Sequence, residues 1–393
     1  MGNVEEVIVI GGGIGGLAAA YGIAKLGKRV TVLEQAQQFG EVGAGLQVGP
    51  NGLRALDELG VLEDVYKLAV FPRKHIFMDA LGGTELSAVE FGDKFKESFG
   101  YPYIVIHRSD LHHVLLEHCR TLPNITFLTN HKVTNVEEHA DFVELTCANG
   151  EMLRAEAVVG ADGIHSAARK LFTQAGPVPS KYVAYRFTVP MDEMTIDIDW
   201  DEKLTWIGPG IHLVQYPVRH KSVISQVAVF KSYRYNAESD DWGSIDELRE
   251  MFKDCCPTIQ ESLKFVQEGF VSKLHDIESL DQWSTNRVTL LGDSAHAMLQ
   301  YLAQGACQAL EDAACLVDKL RSTSSVAAAF KEYEEERIPR TAQVQSGARK
   351  WGEIKHAEDE VTRLLRDTIM LNRRPDDYTY LEWLYKERKT ASV

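Results

Sequence analysis

Paired or metal-spaced cysteines are missing from this chain. Its six cysteines, Cys119, Cys147, Cys255, Cys256, Cys307 and Cys315, form no CxxC and fit no zinc spacing, and 393 residues need no covalent staples. A disulfide scaffold and a zinc module are excluded, no metal site is expected, and a reducing cytoplasm is the simplest setting. Basic charge is also short. Lys plus Arg is 42 against 57 for Asp plus Glu, a formal net charge of −15. A surface this acidic repels phosphate backbones and anionic headgroups, so neither nucleic acid nor a membrane surface is an expected partner. Repeats, low-complexity tracts and long linkers are absent as well. One uncharged run, Val7 to Ala24, spans 18 residues and approaches the ~20 of a membrane-spanning helix. Glu5 and Glu6 stand where a signal sequence carries positive charge, and Gly11, Gly12, Gly13, Gly15, Gly16 and Gly22 would cripple a lone helix.

What is present is a globular composition, 45% hydrophobic and 25% charged, in a chain well beyond the ~150 residues of one typical domain. Two joined domains are expected. Val7 to Ile10 reads as a buried strand, Leu17 to Leu26 as a helix, and Arg29 to Leu33 as a second strand ending at Glu34, which together make a βαβ unit. Val133 to His139 and Phe142 to Cys147 alternate with period two and read as a hairpin. From Pro177 to His275 alternating segments separated by turns suggest an antiparallel sheet inserted into an α/β chain. The first domain resumes near Trp283. The boundaries expected are 1–72, 101–176 and 276–360 for a discontinuous nucleotide-binding domain, 73–100 and 177–275 for a substrate domain, and 361–393 for a C-terminal helical extension. The charged stretch around Glu332, Glu334, Glu335, Glu336 and Arg337 reads as a solvated helix face.

Gly11, Gly13 and Gly16 form GxGxxG between strand and helix. The first permits the turn, the second lets backbone approach a pyrophosphate, and the third lets helix pack on strand. Glu34, at the end of the second strand, is placed to accept from a ribose hydroxyl. NAD and FAD share this fingerprint, and later segments choose between them. Gly160, Ala161, Asp162, Gly163, Ser166 and Arg169 read GADGxxSxxR after a strand, and Gly292 and Asp293 end another strand before His296 and Gly305. With Arg108 in HRSDL, these motifs resemble the single-component FAD-dependent aromatic monooxygenases over roughly Val4 to Thr341.

That resemblance implies a glutathione-reductase-like FAD domain with an inserted antiparallel-sheet substrate domain, noncovalent FAD, and NADH or NADPH as a transient donor, there being no second GxGxxG. It implies hydroxylation of a phenol through a C4a-hydroperoxyflavin. Asp293 would contact the FAD ribose and Arg108 the pyrophosphate region, Asp162 would lie between FAD and the nicotinamide, and Gly15, Gln47, Gly305 and Ala306 would adjoin the cofactor. The other reading of Asp162 and Arg169 is a turn cap or ion pair. His107 and His296 are taken as local hydrogen-bonding partners. GEVGAGLQVGPNG, PYIVIHRSDLH, WIGPGIHLVQYPVR and LQYLAQGACQALEDA further resemble the 3-hydroxybenzoate 6-hydroxylase branch, in which the positions of Tyr103, His212, Tyr216 and Gln300 line the aromatic pocket. His212 and Tyr216 share one face of a strand, as substrate-facing residues should, the other reading being core packing, and His212 is the candidate base. Gln47 stands where a 6-hydroxynicotinate 3-monooxygenase has histidine. Ala297 replaces the proline of the family's GDxxHP, which should free that turn. Alternatives left open are a decarboxylating hydroxylase of salicylate or 6-hydroxynicotinate type, a flavin oxidoreductase without oxygen insertion, and a noncatalytic FAD-binding protein. A homodimer is also left open.

Overall fold

The computed structural model describes residues 5–40, 44–196, 198–239, 241–266 and 271–386. The segment GEVGAGLQVGPNG therefore falls partly outside the described residues. The uncharged run near the N-terminus resolves into the strand Glu6–Ile10 and the helix Ile14–Lys25, both almost wholly buried. Burial on all sides explains why neither shows the alternation of a half-exposed element.

Glu6–Ile10 is the centre of a five-stranded parallel sheet in the order Val288–Leu290, Ala157–Gly160, Glu6–Ile10, Arg29–Leu33, Ile125–Leu128. Strands separated by more than a hundred residues thus lie side by side, and their C-terminal ends present Gly11, Glu34, Ala161 and Leu291 along one edge. The hairpin of Val133–Glu138 and Val143–Cys147 gains a third strand, Met152–Ala155.

A second sheet has seven strands, in the order Val271–Asp276, Val178–Pro190, Val223–Lys231, Ile211–Val218, Lys203–Gly208, Lys74–Asp79, Glu85–Glu90. It is antiparallel except where Lys203–Gly208 meets Lys74–Asp79 in parallel. Its outer face packs Trp206, Leu213 and Phe230 against Leu248 and Phe252, in and just after the short helix Ile245–Met251, with the helix Pro257–Leu263 beside it. Its inner face, carrying Phe77, Val214, Tyr216 and Val227, turns toward the nucleotide-binding sheet. The helix Val326–Lys355 runs 30 residues and ends against this inner face.

The charged stretch on that helix is not merely solvated. Arg337 is buried and donates to Asp312 and Glu311 on the helix Gly305–Ser322, while Glu334 accepts from the backbone N–H groups of Trp283 and Ser284. Alternation of charge along a sequence does not reveal which residues face a neighbouring helix.

Candidate active site

One cavity of about 680 Å³ runs from the glycine turn to the inner face of the seven-stranded sheet. At its nucleotide end, Gly11 has φ +102°, and a Cβ there would lie 2.2 Å from the carbonyl oxygen of Ala161, so both the turn and the neighbouring strand require glycine. A Cβ on Gly16 would lie 2.0 Å from the Gly11 oxygen. Gly13 caps the helix at φ −76°, a conformation open to any residue. What glycine supplies there is the missing side chain. Gly13, Ile14, Gly15 and Gly16 line the cavity, as do Gly305 and Ala306 at the start of a second helix, and neither helix has an acidic residue in its first turn. Arg108 and Asp293 complete this end. Two helix N-termini and a guanidinium converging on one space suit a diphosphate.

The far end is a chamber walled by Phe77, Val214, Val227 and Trp351 and by the polar groups of His75, Arg186, Lys203, Thr205, His212, Tyr216, Gln300 and Lys355. Strand register explains the arrangement, because His75 pairs with Lys203, Phe77 with Thr205, Thr205 with Val214, and Val214 with Val227 across four adjacent strands. His212 Nδ1 lies 2.6 Å from His356 Nε2. Burial, then the ammonium of Lys355, His356 and Lys203, hold the His212 imidazole well below its usual range, so it is neutral. Tyr216 is pushed up to about 12 by burial, against the opposing hydrogen bonds of Ser225 and Gln47 and the charge of Arg186. Arg186 Nη2 donates to Gln300 Oε1 at 2.6 Å.

The FAD binding domain family model matches residues 5–348. The chain belongs to the FAD binding domain family. It is 37% identical over 381 residues to a 3-hydroxybenzoate 6-hydroxylase of Polaromonas naphthalenivorans, covering 96% of this chain and 95% of the relative. A 3-hydroxybenzoate 6-hydroxylase of Klebsiella oxytoca is also 37% identical, over 391 residues, covering 98% and 97%. Among solved structures, a variant of Klebsiella pneumoniae HpxO complexed with FAD aligns with TM-score 0.83 at 26% identity, covering 94% of this chain and 95% of that one. The resemblance, fold class and FAD cofactor expected from the motifs are thereby borne out. As an FAD binding domain protein, the chain would cradle the pyrophosphate between the Gly13 and Gly305 helix starts. Glu34, whose carboxylate accepts from Gly12 and Ala36 N–H groups at 2.9 and 2.8 Å, keeps lone pairs for a ribose.

Of the residues singled out from sequence, Gly13, Gly15, Gly16, Gln47, Arg108, His212, Tyr216, Asp293, Gln300, Gly305 and Ala306 line the cavity. Gly11, Glu34, Tyr103 and Asp162 do not. Gly11 shapes the turn behind the lining, and Glu34 holds that turn through its bond from Gly12. Tyr103 stands one layer back, stacked on Phe91 at 4.3 Å and donating to Gln47 Oε1 at 2.9 Å, so it fixes Gln47. The Asp162 carboxylate is spent locally, accepting from Ser166 Oγ, Ala167 N–H and Ser294 Oγ at 2.6, 2.6 and 3.2 Å. Arg169, buried beside Asp162, donates to the Ile164 and Ser294 carbonyls, so this motif joins two loops that border the cavity. His296 is likewise structural, with Nε2 2.6 Å from Asp312 Oδ2, and His107 caps the helix Arg108–Arg120. Ala297 keeps φ −47°, near a proline's, and its carbonyl is held by Gln345 and Ile277. Neighbours supply from outside what a ring would supply within. Sequence reading missed His75, Arg186, Lys203, Lys355 and His356. The inward face of alternating strands could have signalled Lys203 and Arg186.

Proposed function

We propose that the chain is an FAD-dependent monooxygenase that hydroxylates a phenolic aromatic acid with NAD(P)H and O2, and that 3-hydroxybenzoate is its substrate and gentisate its product. The observation that carries this reading is the chamber itself, an aromatic-walled slot with His212, Tyr216 and Gln300 on its wall, opening directly onto the flavin site. FAD held between the Gly13 and Gly305 helix starts would supply the redox chemistry, with NAD(P)H as the hydride donor and O2 as the source of the oxygen atom that enters the ring.

The chain's own groups do the rest. A phenol of pKa roughly 10 must lose its proton to become electron-rich para to the oxygen. His212 is neutral and its Nδ1 faces His356, so with Nδ1–H donated to His356 its Nε2 accepts that proton. Tyr216 stays protonated and donates, while Gln300, braced by Arg186, offers an amide to the substrate. Phe77 and Trp351, edge to face at 6.1 Å, exclude water.

The same reading assigns 1–72, 101–176 and 276–360 to FAD and 73–100 with 177–275 to the substrate, and sets the enzyme in the cytoplasm without nucleic-acid or membrane partners. The net charge of −15 supports the last point, and no described helix is long and apolar enough to cross a membrane. A homodimer would have a surface to cover in Val361, Leu364, Leu365 and Ile369, which lie exposed along the helix Glu360–Leu371. The deciding experiment incubates the purified protein with NADH or NADPH and each monohydroxybenzoate and identifies products by mass. Gentisate from 3-hydroxybenzoate is expected. Catechol with CO2 from salicylate, or NAD(P)H consumption without any oxygenated product, would reject the reading.

A further inference from the structure

Two lysines face the chamber with no carboxylate of the described residues beside them. Lys203 begins the strand Lys203–Gly208 and is 3% exposed; Lys355 ends the helix Val326–Lys355 and is 4% exposed. The ammonium of Lys203 lies 2.8 and 3.0 Å from the two ring nitrogens of His75, whose Nε2 is in turn 2.8 Å from Thr205 Oγ1. Lys355 Nζ makes no hydrogen bond or ion pair to any described residue, its nearest partner being the Tyr301 ring with centroid 6.0 Å away. Among the described residues Asp293 is the sole carboxylate lining the cavity, and it belongs to the nucleotide end. Both lysines are held in place. Arg366, itself buried, donates to the Lys355 carbonyl at 3.0 Å and fixes the helix end, while the strand register fixes Lys203 beside His75.

A buried ammonium without a counter-charge is costly, and two facing one space repel each other as well. Folding gains nothing evident from them, since residues of similar volume and no charge would fill the wall. Such a pair is accounted for by an anion that arrives later. The remaining walls, Phe77, Val214, Val227 and Trp351, accept a planar ring.

We propose that Lys203 and Lys355 form the subsite that receives the carboxylate of the aromatic acid, with His75 holding Lys203 in position. This rests on the aromatic-acid reading above and adds to it the residues that distinguish an acid from a neutral phenol. The carboxylate end of the substrate is thus set against the seven-stranded sheet and the C-terminal end of the long helix.

The test uses the full-length FAD-loaded protein and follows flavin absorbance while 3-hydroxybenzoate or 3-hydroxybenzamide is added. Wild type should bind the acid roughly tenfold or more tightly than the amide. Lys203→Met and Lys355→Met should each weaken acid binding by a similar factor and leave the amide unchanged, while Lys355→Arg keeps the preference. Without ligand, both Met variants should melt no lower than wild type, because each removes an uncompensated charge. Unchanged acid affinity in both Met variants overturns the proposal. So does an equal loss for acid and amide together with a lower melting temperature, the mark of a structural lysine. Should wild type hydroxylate no hydroxybenzoate, the functional reading fails separately. The subsite is then read with benzoate against benzamide, and equal affinity for the two overturns it.

Discussion

His212 and Tyr216 lie four residues apart on one strand and both reach the chamber, yet they are prepared for opposite tasks: burial keeps the imidazole neutral and the phenol protonated. His212→Ala should therefore leave FAD content intact while the hydroxylation step falls by roughly 10²-fold or more, with more of the consumed NAD(P)H appearing as H2O2. Product-to-NAD(P)H ratios measure this, and a wild-type ratio would remove His212 from the mechanism. Tyr216→Phe keeps the ring and separates chemistry from packing. Lys355 gives a pH signature. Burial lowers it from 10.5 to about 7 in the ligand-free protein. Between those values the unfolded chain binds the extra proton, so this group's contribution to stability rises with pH across that window and is least below about 7. Carboxylate binding has the reverse sign, since it needs the ammonium. The groups nearby, His75, Lys203, His212 and His356, are also held low by burial, and the Arg366 and Arg373 guanidiniums add positive charge. Affinity for 3-hydroxybenzoate should fall as pH rises above about 7, and Lys355→Met should flatten that dependence. A fall that persists in Lys355→Met would place the titrating group elsewhere.

At the scale of elements, the helices Gly305–Ser322 and Val326–Lys355 are joined by a buried network that also sets the cofactor turn. Asp312 accepts from Arg337 Nε at 2.7 Å and from the Gly292 N–H at 2.9 Å and lies 2.6 Å from His296, while Glu311 accepts from Arg337 at 2.6 Å. Burial pushes both carboxyls up, but the facing charges outweigh it and bring each down to about 2. Their folded values lie below those of the unfolded chain, so the stabilisation is complete above the ordinary carboxylate range and is lost as pH falls toward about 2. Arg337→Met removes the cation that these two buried carboxylates share, leaving Glu311 to Arg340 and Asp312 to His296, and should cost roughly 3 kcal/mol. Because Asp312 tethers Gly292, the variant should also retain less FAD. Urea midpoints and flavin content report the two effects, and unchanged values in both would show the network to be dispensable. None of this was legible in the sequence, where Arg337 sits among glutamates and reads as surface. The glycine turn was legible because a backbone constraint writes itself into three fixed positions. His212 and Tyr216 were legible because a strand's period of two keeps them on one side. Lys203 and His75 were not, since they meet through a parallel pairing across 128 positions, and Lys355 emerges at the end of a helix whose composition gives no hint of what it faces. Asp162 follows the turn-cap reading, its carboxylate accepting from Ser166, Ala167 and Ser294.

Over the whole molecule, nucleotide end and chamber are two ends of one cavity, and no second GxGxxG exists in the chain to house NAD(P)H. A donor site shared with, or bordering, the substrate's would make reduction depend on what the chamber holds. On its own, the chamber presents Lys203, Lys355 and Arg186 to one another without counter-charge, and both Lys355 and Arg186 are shifted toward their uncharged forms by burial. Filled by an aromatic acid, it gains a carboxylate and a ring, and the basic groups become paired. The charge beside the flavin changes with occupancy, and a reduction step that transfers hydride next to those groups should respond. Mixing FAD-loaded protein anaerobically with NADH or NADPH, with and without 3-hydroxybenzoate, should show reduction accelerated by the acid, and less so in Lys355→Met. Using 3-hydroxybenzamide in place of the acid separates filling of the slot from neutralisation of the lysines, since the amide has the ring and lacks the charge. Equal rates with and without the acid would show that the two ends of the cavity act independently.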